Sequence, residues 1–534
     1  MAQRSYFDWL WAIGSGAALS LAFPRTQYFW LAWFALVPLI YLAISQRWRV
    51  RRAFAAGYIA GLAFFSISCY WIYAVLRNYG NISPPAAIGV LGAMVAELAC
   101  FFGLFAAGLC WMEQRYRSRL RVPGGSDAGG VPRLTHQEHP GYGAALLMAP
   151  FLWVALELGR TYVVIGFPWD LLGYAVAPQI GIVQLTTITG IYGLSFLLLG
   201  FNALVVWLLL ERSWRPVGAL IALVGALGVA NRLIPWPHPA GAMRAYLVQT
   251  NLPQFSEYPQ DWKERFQPAV DELERLTVEA VPPGKEPALV IWPEVPAPFY
   301  LNHDPEFRAR ARRIAQRTRS YFLVGIVDWR KRADGKMAPY NSAAMLDPAG
   351  KVIAQYDKIH LVPFGEYVPV RKLFFFAERL TAEAGDFEPG RERTLAATHR
   401  GKVATFICYE AIFPAEVRQF VERGAEALVN ISNDGWFGRT AAPDQHLNMA
   451  RVRAVEGRRW LLRATNNGHT VIVDPYGRIV SRLLPDQRSV LIGSFDFVSQ
   501  RTLYARFGDW WAWLCVLLAL GGGVHALTKK ERKT

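Results

Sequence analysis

The sequence predicts two structural classes in one chain. One is a multi-pass α-helical membrane bundle of about eight transmembrane helices; the other is an α/β domain inserted before the last of them. Three observations predict this. Apolar runs fill residues 1–235 and return at 508–528. Between them, over 244–499, short β-rich runs alternate with charged helical stretches. Lys and Arg crowd the connections on one side of the apolar runs and are scarce on the other.

Seven apolar runs lie at about 9–24, 28–45, 53–76, 85–112, 142–159, 181–210 and 216–234, and an eighth at about 508–528. A spanning helix needs about 20 largely apolar residues, and several runs exceed that. The first is short, and the fifth carries Glu157. After the fifth, Gly166-Phe-Pro-Trp169 breaks the helical period and reads as a segment re-entering the membrane from one side. Any single run reads equally well as a buried soluble helix; eight together do not. The 20 Trp and 45 Gly also fit a membrane protein. No small-residue cleavage site follows the first run, which therefore reads as an uncleaved anchor.

With the N-terminus in the cytoplasm, the short segments on that side hold sixteen Lys and Arg. The opposite segments hold four, Arg25, Arg77, Arg160 and Arg232. The positive-inside rule then puts both termini in the cytoplasm and residues 236–507 outside. The formal net charge of +16 divides into +4 for 244–499 and +12 for the rest. It therefore reports membrane orientation, and no nucleic-acid partner is expected. With 53% hydrophobic and 18% charged residues, the composition excludes a disordered chain.

The domain boundaries follow: 1–235 for the membrane domain, 244–499 for the enzyme-like domain, 508–528 for the eighth helix and 529–534 for a basic tail. Within 244–499, Ala288–Trp292, Tyr321–Val327, Val403–Ile407 and Ala427–Ile431 read as buried strands. Gln260–Ala280, Pro305–Arg319, Pro414–Arg423 and Asp444–Arg459 read as helices. No internal repeat is visible in the residues. The loop 114–141 contains the low-complexity stretch Pro123–Gly130 and reads as a flexible linker.

Of the five cysteines, Cys69, Cys100, Cys110 and Cys515 lie in apolar runs and read as packing; only Cys408 belongs to the α/β domain. It follows an apolar strand and precedes a helix, a position that exposes a nucleophile at a sheet edge. Glu294 and Lys358 end two other predicted strands. A carboxylate, an ammonium and a thiol at three strand ends suit nucleophilic catalysis, although each alone is commonly just solvated. No His/Cys cluster has metal-ligand spacing and no Gly-rich phosphate loop occurs, so neither metal nor cofactor is expected.

The segments Trp292-Pro-Glu294, Tyr356-Asp-Lys358-Ile-His-Leu-Val-Pro-Phe-Gly-Glu366-Tyr367, Ile407-Cys-Tyr-Glu410 and Asn430-Ile-Ser-Asn-Asp-Gly-Trp-Phe437 resemble the motifs of the carbon–nitrogen hydrolase (nitrilase) superfamily. The apolar runs and Gly166–Trp169 make the chain similar to its membrane-anchored acyltransferase branch in the bacterial inner membrane. The resemblance implies an αββα sandwich and a Glu294–Lys358–Cys408 triad, with the catalytic domain on the periplasmic side. It implies transfer of a fatty acyl chain from a phospholipid, phosphatidylethanolamine by its sn-1 chain, to the N-terminal amine of a diacylglyceryl-apolipoprotein. Glu366 would assist the triad by hydrogen-bonding Lys358 or Glu294. Tyr409 would serve through its N–H, and Glu410 either positions substrate or holds structure. Trp436 and Phe437 either line the pocket and acyl path or belong to the core. The loop Phe364–Phe376, with Arg371 and Lys372, reads either as a lid dipping into the bilayer or as packing against the helices. His360, two residues from Lys358, shares its face in a strand, but the base and oxyanion roles are already filled. His446 and His469 read as polar core or surface groups.

Overall fold

The computed structural model describes residues 2–45, 49–80, 82–118, 142–163, 166–211, 214–233, 243–253, 261–282, 284, 286–294, 300–332, 335–367 and 387–528. The N-terminal part is helical: α1 (Ala2–Ser20), α2 (Val37–Ser45), α3 (Val50–Ser68), α4 (Trp71–Asn78), α5 (Pro84–Ser118), α6 (Tyr142–Tyr162), α7 (Ile191–Glu211) and α8 (Arg215–Leu233).

Five helices among the described residues are long and apolar enough to span a bilayer: Val50–Ser68, Pro84–Tyr116, Tyr142–Tyr162, Ile191–Leu210 and Trp510–Thr528. This is fewer than the eight apolar runs: α1 and α8, each a continuous helix of 19 residues, are not among the five, and three other runs do not form one continuous helix. The second run is a 3₁₀ turn at Phe29–Trp33 followed by α2, which has nine residues. The third run splits at Cys69 and Tyr70, between α3 and α4. The sixth begins as two short helices, Ile180–Val183 and Thr186–Thr189, and resumes as α7 only after Gly190. Gly190 has φ +65°, and a Cβ there would lie 2.5 Å from the Tyr504 ring. Helix α1 carries Asp8, which pairs with Arg52 at the start of α3 at 3.2 Å. Helices α3 and α5 approach closely through small residues; a Cβ on Gly57 would lie 2.3 Å from the Phe102 carbonyl oxygen.

Two six-stranded sheets follow. Strands β1 (Met243–Gln249), β2 (Leu289–Ile291), β3 (Tyr321–Lys331), β4 (Met337–Leu346), β5 (Val352–Asp357) and β12 (Ser489–Phe495) form one in the order β12-β1-β2-β3-β4-β5. Strands β6 (Leu395–Ala397), β7 (Lys402–Ile407), β8 (Ala427–Ser432), β9 (Trp460–Thr465), β10 (Val471–Val473) and β11 (Ile479–Arg482) form the other in sequence order. From β12 to β5 the pairings run antiparallel, parallel, parallel, antiparallel, antiparallel. From β6 to β11 the same series recurs. The domain thus repeats one topology twice, although no repeat is visible in the residues.

The strands alternate as a pleat requires. Ala245, Leu247, Leu289, Ile291 and Leu323 face the second sheet in one core. Tyr246, Val248, Val290, Phe322 and Val324 face the opposite way, onto α9 (Trp262–Ala280) and α10 (Pro305–Thr318). The second sheet is covered by α11 (Pro414–Glu422) and α12 (Ala442–Gly457). Each of the four strands and four helices expected from the sequence is present, with ends shifted by up to four residues.

Helix α12 is buried on both faces. Leu447, Ala450 and Ala454 pack into the inter-sheet core, whereas Met449, Val452 and Val455 join the core of the bundle. Arg453 pairs with Glu456 at 3.2 Å and donates to the Tyr174 hydroxyl at 2.8 Å. Glu456 accepts from the Ile191 N–H at the start of α7 at 3.0 Å. A helix N-terminus leaves such N–H groups unpaired unless something caps them. The last helix, α13 (Trp510–Thr528), returns to the bundle, its Tyr116 contact reaching Gly522 O at 3.1 Å. The basic tail 529–534 and most of the loop 114–141 lie outside the described residues.

Replacing Glu456 by Ala strands a buried guanidinium and uncaps α7. The expected loss is about 3–5 kcal/mol, read as a lower thermal midpoint of the detergent-solubilised protein. An unchanged midpoint would show that the docking of domain on bundle does not rest on this pair.

Candidate active site

Four strand ends meet on one side of the sandwich. Beyond β2, Trp292 is anchored by its Nε1–H to Thr277 Oγ1 on α9 at 3.0 Å, which fixes the exit of the chain to Glu294. Beyond β5 comes Lys358, beyond β7 Cys408 and beyond β8 Asn433. The carboxyl ends of parallel strands, here β2, β7 and β8, are the usual place for a site in such sheets.

The Lys358 ammonium is the hub. It is 1% exposed and donates to Glu294 Oε1 at 3.3 Å and Glu366 Oε1 at 3.0 Å. Asn341, on β4, donates through Nδ2 to the same two oxygens, at 2.8 and 2.6 Å. The remaining oxygens are also filled: Glu294 Oε2 accepts from the Asn433 N–H at 2.8 Å, and Glu366 Oε2 from the Val362 N–H at 2.7 Å. Burial alone would lower the Lys358 ammonium, but Glu294 and Glu366 outweigh it and hold it above its ordinary pKa. One cation between two carboxylates gives the three groups a net negative charge beside the thiol.

Cys408 is buried and has φ +49°, in the left-handed region. Its thiol is pushed well above its ordinary pKa, first by burial and then by the Glu294 charge, against the opposing effect of Lys358. The resting group is therefore a thiol, and a base must take its proton during attack.

Glu410 stitches two of these strand ends together. Its Oε1 accepts from the Tyr356 hydroxyl at 2.6 Å and the Ile359 N–H at 2.7 Å, and its Oε2 from the Ile407 N–H at 2.7 Å. Burial pushes its pKa up to about 7, against these donors. Its donors are the Tyr356 hydroxyl and backbone N–H groups of the two strand ends, so the geometry favours its structural reading. The Tyr409 ring leaves the domain and packs in the core of the bundle beside Phe413.

The N-terminal domain description of the apolipoprotein N-acyltransferases matches residues 15–204, and that of carbon-nitrogen hydrolases matches residues 246–504. The apolipoprotein N-acyltransferase of Geobacter metallireducens is 36% identical, over 99% of this chain and 96% of its own. That of Azotobacter vinelandii is 33% identical over 95% and 93%, and that of Methylococcus capsulatus 34% over 94% and 92%. The chain belongs to the apolipoprotein N-acyltransferase family. Among solved structures, the nitrilase-superfamily protein Nit3 of Saccharomyces cerevisiae aligns at 20% identity and TM-score 0.36, over 55% of this chain and 97% of that one.

Around the site of this family member, Phe437 packs against Trp71 and Trp169 of the bundle, at 5.1 and 6.0 Å between ring centroids. Trp436 is 37% exposed and meets Tyr79 edge-on at 5.1 Å. Phe437 is half-buried against the core of the bundle, and Trp436 sits at the surface. Trp169, in the Gly166–Trp169 segment, is fully buried between Trp71 of the bundle and Gln445 of the domain. His360 turns to Glu416, 3.2 Å away, and stacks on Phe413. His469 meets Asp444 at 2.9 Å. The aromatic loop is described only as far as Tyr367, so Arg371 and Lys372 lie outside the described residues.

Sequence reasoning missed Asn341 and Arg463, gave Asn433 and Asp434 no role beyond their motif, and read His446 only as a polar core or surface group; Asp434, His446 and Arg463 form one buried set. Asn341 opposes Val327 across β3 and β4, and a polar residue on a buried strand was the available signal. Arg463 donates to both Asp434 oxygens at 2.9 Å. Burial alone would raise Asp434, but Arg463 and His446 hold its carboxyl well below the usual range.

The raised thiol pKa sets a pH dependence. Without lipid, alkylation of Cys408 by iodoacetamide should be slower at neutral pH than for a free cysteine. It should keep rising with pH past about 9.5, one unit above the pKa of a free thiol, where the rate for a free cysteine levels off. A plateau below that value would contradict the protonated resting state. For Glu410→Gln, an amide cannot accept at both ends, which leaves a backbone N–H facing an NH₂. The expected cost is about 1–3 kcal/mol, read from the thermal midpoint; a wild-type midpoint would remove the stitching role.

Proposed function

We propose that the chain is a phospholipid-to-lipoprotein acyltransferase working through a thioester on Cys408, with Glu294 as base and acid and Lys358 as oxyanion partner. The observation that carries this reading is physical continuity. The Cys408 turn and the apolar helices share one hydrophobic core, through Tyr409, Ile412 and Phe413. A site built against a bundle suits substrates held by acyl chains in a bilayer.

Glu294 takes the thiol proton as sulfur attacks the ester carbonyl of the donor. The S–C bond forms, the C–O bond breaks, and Glu294 returns the proton to the lysophospholipid oxygen. Lys358 and the Tyr409 N–H stabilise the tetrahedral oxyanion; one such donor is typically worth about 3–4 kcal/mol. The neutral α-amine of an S-diacylglyceryl-cysteine then attacks the thioester. The N–C bond forms, the C–S bond breaks, and the amine proton passes through Glu294 to the sulfur. Glu366 and Asn341 hold Lys358 and Glu294 in register for both steps. Trp436, at the surface beside Tyr79, lines the approach.

We further take phosphatidylethanolamine as the donor. The chain is read as a multi-pass protein of the bacterial inner membrane, with 1–235 and 508–528 in the membrane. The domain 244–499 is read as periplasmic, with both termini and the tail 529–534 cytoplasmic. The uneven distribution of Lys and Arg supports this orientation.

Intact-mass analysis after incubation with phospholipid alone should show one added acyl chain on Cys408 and none in Cys408→Ala. A diacylated lipopeptide should then discharge it as an N-acyl product. Discharge only as free fatty acid would make the protein a hydrolase, and turnover without any adduct would sink the covalent route.

A further inference from the structure

A left-handed φ at a non-glycine residue costs of order 1–3 kcal/mol and persists only where its surroundings hold it. At Cys408 the contact on the carbonyl side comes from His446, on α12. Its Nε2 lies 3.0 Å from the Cys408 carbonyl oxygen. A carbonyl only accepts, so Nε2 carries the hydrogen. Nδ1 must then accept, and Arg463 Nη2 stands 3.1 Å from it. Asp434 Oδ1, at 3.4 Å, is the more distant neighbour. Burial and then the Arg463 charge lower the imidazole pKa, so the ring stays neutral in this tautomer.

The bundle holds the other side of the ring. Trp169 stacks on it at 5.9 Å and 26°, and Phe437 meets it edge-on at 5.8 Å. The Trp169 Nε1–H donates to Oε1 of the preceding residue, Gln445, at 2.9 Å. Gln445 donates in turn to the Ser68 carbonyl at the end of α3, at 3.2 Å. The Ser68 hydroxyl donates to Asp170. A continuous set of contacts therefore runs from α3 and the Gly166–Asp170 segment to the backbone of the nucleophile.

We propose that His446 is a positioning residue for acyl transfer. Through the Cys408 carbonyl it holds the turn that presents the thiol and the following N–H, and the bundle, through Trp169, holds His446. It is not a second base, because its one N–H is committed to a carbonyl and its other nitrogen to Arg463. The proposal rests on Cys408 being the acyl-accepting nucleophile.

The test uses the full chain in detergent and two rates: single-turnover acylation of Cys408 by phosphatidylethanolamine, and alkylation by iodoacetamide at about pH 9. Attack on an ester needs the turn and its N–H in place, whereas alkylation needs only an accessible thiol. His446→Leu should lower the acylation rate constant about 10- to 100-fold, leave the donor concentration at half-saturation unchanged, and alter alkylation by less than about twofold. His446→Gln, whose amide N–H can reach the same carbonyl, should recover most of the rate. Wild-type acylation in His446→Leu would overturn the proposal, and so would a parallel fall in both rates, which marks general disruption. If His446→Leu does not fold, His446→Asn takes its place. Its amide is one methylene short and should acylate as slowly as predicted for Leu; a rate equal to that of His446→Gln overturns the proposal. A wild-type protein that takes up no acyl chain overturns the functional reading, and this proposal with it.

Discussion

A buried ammonium has to be neutralised where it sits, and at Lys358 that requirement organises the site. Two carboxylates from different segments close on one nitrogen, and Asn341 ties the same two oxygens together. Removing either carboxylate would take one acceptor from Lys358 and one from Asn341 in a buried site. The arrangement also has a chemical effect. Burial and then the Glu294 charge outweigh Lys358 at the neighbouring thiol, which stays protonated at rest. A protonated thiol is also the less readily oxidised form.

The second constraint is that α12 has no solvent face. Its inner side completes the sandwich and its outer side completes the bundle. Polar residues on such a helix must find partners at the seam, and they do: Gln445 with Trp169, Arg453 with Tyr174, Glu456 with the start of α7. Each of these bonds has one partner in the domain and the other in the bundle. The seam therefore behaves as part of a protein interior and not as a movable domain interface, which would be more polar and weakly packed.

Much of this was legible in the residues. The strands β2, β3, β7 and β8 and helices α9 to α12 are apolar or amphipathic runs bounded by Pro, Gly and charge, and local pattern suffices to find them. Glu294, Lys358 and Cys408 were legible because each follows a strand in a long motif. The bundle was less so. The run 28–45 is apolar throughout, yet it breaks into a 3₁₀ turn and a short helix. Likewise Gly190 interrupts another run because the Tyr504 ring occupies the space a side chain would need. That contact spans more than 300 residues of sequence, and no local pattern encodes it. Asn341 and His446 were illegible for the same reason: their importance comes from what the fold places opposite them.

The two sheets share one pairing scheme but differ in how the chain completes them. The sheet that carries Cys408 is built from consecutive strands, β6 to β11, between Leu395 and Arg482. The sheet that carries Glu294 and Lys358 takes its edge strand β12 from the far end of the domain, about 240 residues after β1. During synthesis the Cys408 sheet can therefore assemble locally, while its partner stays open along β1 until the last strand arrives. An exposed strand edge invites wrong pairing. The vulnerable interval in the birth of this protein is thus the arrival of the stretch before α13, and a chain truncated there would keep the complete Cys408 sheet yet leave the Glu294 and Lys358 sheet without its edge strand.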